Sequence, residues 1–135
     1  MRSKGNEDPE RQNIDKLIRQ INGEYIWEAR QIRGKDLNDH FQQIMEWEAQ
    51  KEWDKLLDLY EEIIPATHRL AQYDAREPQS YWPMKAATLY LRRKRPDMAL
   101  KVLTDWLNAW PPERGEKTDR AVVRARITRI MNKHY

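Results

Sequence analysis

The chain has no cysteine, two serines, one phenylalanine and four glycines in 135 residues. Without cysteine there can be no disulfide framework, thiolate nucleophile, zinc ribbon or iron–sulfur cluster. Ser3 and Ser80 are the only serines, and Gly5, Gly23, Gly34 and Gly115 stand singly, so a nucleophile elbow and a glycine-rich phosphate cradle are also missing. No apolar run approaches the ~18 residues of a spanning helix. The opening MRSKGNEDPERQ has no apolar segment resembling a signal peptide. The expectation is a soluble, cytoplasmic protein with no membrane contact, of one domain's length.

Charged residues make up 35% of the chain and mean hydropathy is −1.05, close to the composition of disordered chains. Six Trp and six Tyr argue for folding, since each buries roughly 150–250 Å² when enclosed. The net charge of +3 hides an asymmetry. Residues 1–40 balance at zero, residues 41–80 carry −5 and residues 81–135 carry +8. Such a polarity could orient a partner, attract nucleic acid or hold two parts of one fold together.

Apolar spacing predicts an all-α fold of about seven helices. The first runs from Pro9, capped by Asp8, through Ile14, Leu17, Ile18 and Ile21 to Asn22-Gly23, and a short second one spans 24–33 and ends at Gly34. The third, capped by Asp36 or Asn38, carries Leu37, Phe41, Ile44 and Met45. The fourth has an unbroken stripe of Trp53, Leu56, Leu57, Tyr60, Ile63 and Ile64, to be kinked or ended by Pro65 before a turn over 74–80. Pro83 opens the fifth, with Ala86, Ala87, Tyr90 and Leu91. Pro96 opens the sixth, with Ala99, Leu100, Leu103, Trp106, Leu107 and Trp110, which Pro111-Pro112 stops. A loop through Gly115 leads to Thr118-Asp119 and a basic last helix over 118–134, and residues 1–8 read as a disordered leader. No segment reads as a strand.

A shift of 43 residues superposes Asp54 on Asp97, Leu57 on Leu100, Tyr60 on Leu103 and Ile64 on Leu107, which implies two helix pairs. In the second copy Ala87, Tyr90, Ala99, Leu103 and Pro111 fall at the small, aromatic, small, large and proline positions of a known family. The chain resembles the tetratricopeptide repeat proteins over about residues 37–111, with Ala86 and Trp106 departing from the pattern and a looser first copy carried by Trp47, Leu56 and Tyr60. It also looks like the tetratricopeptide-like tails of small bacterial proteins. The resemblance implies antiparallel helix pairs in a right-handed array, or a helical bundle, with a concave groove whose outward positions are Gln43, Trp47, Lys85, Thr88 and Arg92. Two copies are fewer than an array usually needs, so the flanking helices must cap it.

His40, His68 and His134 lack ligand spacing, so no metal or other cofactor is expected. The acidic run through Asp54, Asp58, Glu61 and Glu62 reads as a solvated face, not as an acid–base pair, and no enzymatic activity is expected. The basic candidates are Arg93, Lys94, Arg95, Arg120, Arg124, Arg126, Arg129 and Lys133, either snorkelling beside an apolar stripe or forming a surface for phosphate. Trp53 and Trp106 read as core, while Trp27, Trp82 and Trp110 are packing residues or half-exposed anchors. The expected function is an adaptor that binds a protein or peptide, or a second copy through its acidic and basic helices, with nucleic-acid association as the alternative.

Overall fold

A computed structural model describes residues 9–74, 78–109 and 119–135. The leader at 1–8, the turn at 75–77, Trp110, the Pro111-Pro112 stop, Gly115, Lys117 and Thr118 lie outside the described residues. The described residues are all-α apart from one minimal hairpin. Its elements are α1 (Pro9–Ala29), β1 (Gln31–Ile32), β2 (Lys35–Asp36), a 3-10 turn (Leu37–His40), α2 (Phe41–Ala49), α3 (Trp53–Asp74), α4 (Tyr81–Arg92), α5 (Pro96–Asn108) and α6 (Asp119–His134).

Six α-helices among the described residues replace the expected seven. Asn22-Gly23 does not end the first helix, which continues to Ala29. A lone glycine costs a helix only about 1 kcal/mol against alanine, too little to stop one that packs on a neighbour. The segment expected to finish a second helix forms the hairpin, with Gln31 opposite Asp36 and Ile32 opposite Lys35. Both turn residues, Arg33 (φ 55°) and Gly34 (φ 79°), take the left-handed conformation that a tight two-residue hairpin demands. The hairpin is fixed by Arg30, whose guanidinium donates to both carboxylate oxygens of Asp36 at 3.0 and 3.1 Å, and by His40, whose Nε2 donates to the Ile32 carbonyl at 2.7 Å.

Pro65 neither ends nor replaces α3, which runs unbroken for 22 residues. Pro65 lies on the exposed side, where water can meet the carbonyl it leaves unbonded, while Ala66 and Ala71 carry the buried face onward. α3 is the axis of the molecule, packed by α1, α2 and α4, and α4, α5 and α6 follow, each against its predecessor. Leu56, Leu57, Tyr60 and Ile63 of α3 are sealed beside Ala86, Ala87 and Trp82 of α4, with Ala99, Leu103 and Trp106 of α5 and Val123 of α6 closing the core. The alanines permit the close approach of α4 and α5.

The 43-residue shift survives in three dimensions. α2 and α4 end, and α3 and α5 begin, 43 residues apart. The joining turns are alike: Lys51 and Lys94 both take φ 58°, and the following amides, Glu52 and Arg95, donate to the Trp47 and Tyr90 carbonyls at 2.8 and 2.9 Å. This is the Schellman closure of a helix, used twice with lysine where glycine is usual.

Candidate binding cleft

A cleft of about 230 Å³ opens where the end of α2, the first two turns of α3 and one face of α4 meet. It is lined by Glu48, by Trp53, Leu56 and Tyr60, and by Lys85, Thr88, Leu89 and Arg92. The helical period explains the set, because residues three, four and seven apart on α3 and α4 share a face. Leu56, Tyr60 and Leu89 form a buried floor and the charged side chains form the rim.

Arg92 lays its guanidinium over the Trp53 ring, 4.5 Å from the centroid. That contact restrains the long side chain while its N–H groups stay able to donate. Lys85 stands 3.7 Å from Glu48 and 5.5 Å from the Tyr81 ring centroid. Tyr60 is 1% exposed, and among the described residues its hydroxyl makes no hydrogen bond. Burial, with the charge of Glu48, raises the Tyr60 pKa well above its ordinary value, so the phenol stays protonated and able to donate. The rim therefore carries two cations against one carboxylate over a neutral donor.

Of the five expected groove residues, Lys85, Thr88 and Arg92 line the cleft. Gln43 and Trp47 do not: Gln43 donates to Glu46 at 3.5 Å, and Trp47 is half-buried against the core. Trp53, expected in the core, is instead half-buried in the wall, and Trp82, weighed as a half-exposed anchor, is 1% exposed with its Nε1 donating to Gln79. Trp27 is exposed and Trp106 is sealed in, its Nε1 donating to the Pro78 carbonyl at 2.8 Å.

The basic candidates do not form one surface. Arg120 is a correction, since it is buried and donates to the Leu107 carbonyl at 3.2 Å, closing the end of α5. Arg93 binds Asp54 at 2.6 Å, which also raises the Arg93 pKa, and Arg95 binds Asp97 at 2.9 Å. Arg126 is half-buried and donates to Thr88 at 2.8 Å, tying α6 to α4. Lys94, Arg124, Arg129 and Lys133 remain exposed. The acidic face of α3 is likewise engaged, Asp54 by Arg93, Glu61 by the Tyr90 hydroxyl at 2.7 Å and Glu62 by Arg33. Two of the ion pairs, Asp54 with Arg93 and Glu48 with Lys85, therefore join the acidic middle of the sequence to its basic end.

Comparison with protein-family models, with curated proteins and with solved structures gave no match. Among the described residues there is no cluster of three His, Asp or Glu side chains able to hold a metal ion, and no helix long and apolar enough to cross a membrane. The cleft is smaller than the 300–1,000 Å³ typical of small-molecule and cofactor sites, and suits a single side chain.

Proposed function

We propose that the chain is a non-catalytic binding module whose cleft receives an acidic side chain, or a chain-terminal carboxylate, of a peptide or protein partner. The observation that carries this is the convergence of Arg92, Lys85 and the unbonded Tyr60 hydroxyl on one small depression with an apolar floor. A carboxylate there meets a guanidinium prepositioned on Trp53, an ammonium and a neutral donor. Little side-chain ordering is then left to oppose binding.

The tetratricopeptide-like architecture belongs to the same proposal. Its support is the duplicated helix–turn–helix, and the cleft lies on the α2 and α4 side of the pairs, where the resemblance puts a groove. Nucleic-acid association is the weaker reading, because pairing of Arg93 and Arg95 and burial of Arg120 break up the surface it needs.

Calorimetric titration with short acidic, basic and neutral peptides tests the proposal. Acidic peptides should bind, and Lys85→Glu with Arg92→Glu should abolish binding while circular dichroism shows unchanged helicity. Equal affinity for basic peptides, or undiminished binding by the folded double variant, would refute it.

A further inference from the structure

Among the described residues, the first half of α1 has no neighbour that covers its apolar stripe. Tyr25 stacks on Tyr73 at 5.0 Å and Arg33 reaches Glu62, so α1 runs antiparallel to α3. The described part of α3 reaches Asp74, one residue past that stack, and among the described residues the turns of α1 before Tyr25 extend beyond it. Ile14, Leu17, Ile18, Ile21 and Tyr25 are accordingly 39–57% exposed. A helix in water draws most of its stability from burying such a face, so this one calls for a cover.

The spacing specifies the cover. Ile14, Ile18, Ile21 and Tyr25 are separated by 4, 3 and 4 residues, the alternation of a coiled-coil seam. The seam is palindromic. Turned end for end about a point between Arg19 and Gln20, it sets Ile18 against Ile21 and Ile14 against Tyr25, and the next layer sets Arg11 against Glu28. Among the described residues neither Arg11 nor Glu28 has a partner within the chain. A parallel pairing would oppose Arg11 to Arg11 and Glu28 to Glu28, whereas the antiparallel one forms two opposite-charge layers flanking four apolar layers.

We infer that α1 is a self-association surface on which a second copy of this chain docks, α1 against α1 and antiparallel, about a two-fold axis. Tyr25 takes part in both contacts, with Tyr73 of its own chain and with the seam. The cleft between α2, α3 and α4 is left open, so the dimer presents two such clefts. A seam of about 30 Å contributes less area than a permanent dimer interface, as befits a pair that separates on dilution.

Sedimentation equilibrium of the full chain from about 1 μM to about 1 mM tests this. The expected result is a monomer–dimer equilibrium that Ile18→Asp removes and Met45→Asp, at an exposed site on α2, leaves unchanged, with folding of each variant checked by circular dichroism. Arg11→Glu or Glu28→Arg alone should weaken the dimer about tenfold, and the two together should restore it. The inference is overturned if the chain stays monomeric throughout that range, including the case in which it binds vesicles of anionic lipid instead. It is equally overturned if the dimer survives Ile18→Asp or if the charge exchange fails to restore association.

Discussion

His68 sits on α3 with its Nε2 buried and without a hydrogen bond among the described residues. Burial lowers its pKa below the ordinary 6.5, opposed in part by the charge of Asp105 on α5. The depressed group is neutral in the folded chain, and its contribution to stability is complete above pH 6.5. As pH falls from there toward the folded value, the unfolded chain takes up a proton that the native state refuses, and stability is lost. His68→Leu should therefore be at least as stable as the parent near neutrality, and should lose less melting temperature between about pH 7.5 and about pH 5.5. Parallel melting curves over that interval would contradict the assignment. The cleft shows the same sensitivity to placement: burial raises the Tyr60 pKa further above neutrality, and among the described residues its hydroxyl has no hydrogen-bond partner.

At the scale of elements, the two lysines at φ 58° close α2 and α4 in a conformation that costs an L-residue about 1–2 kcal/mol and glycine almost nothing. Lys51→Gly and Lys94→Gly should each raise the unfolding free energy by about 1 kcal/mol, and should add in the double variant because the turns are separate. Urea unfolding measures this. Destabilisation by either change would mean that the lysine side chain contributes more than its backbone strain costs. The positions of these turns were legible from the 43-residue shift, because helix stripes register packing whatever residue fills the turn. The β-hairpin was not legible, since Arg33 accepts a left-handed conformation that sequence patterns associate with Asn or Gly. Nor was the persistence of α3 through Pro65, which depends on the proline facing solvent.

At the scale of the molecule, the question is how many cations are left to meet phosphate. Of the eight basic candidates, Lys94, Arg129 and Lys133 are exposed and not tied down among the described residues as Arg93, Arg95, Arg120 and Arg126 are. Each phosphate neutralised contributes about −0.9 to the slope of log affinity against log salt, so duplex binding through these candidates should show a slope no steeper than about −3 and should vanish near 0.15 M salt. A steeper slope in a salt titration with random duplex DNA would show that the intramolecular pairing does not dispose of this charge. The acidic middle and basic end of the chain meet in Asp54 with Arg93 and Glu48 with Lys85, across neighbouring helices.

The sequence by itself determined the helical class, the stripes that became the core, the 43-residue spacing of two like helix ends and three of the residues that line the cleft. The first three follow from periodicity, which is local and independent of what lies opposite, and the cleft residues follow from the resemblance. The tertiary structure alone decided which charges are spent inside the fold, which tryptophans are sealed and which form a wall, and where a stripe is left uncovered. Those outcomes depend on which helix lies against which: Tyr25 is stacked on Tyr73 of α3, while the Ile14 to Ile21 face of α1 is exposed.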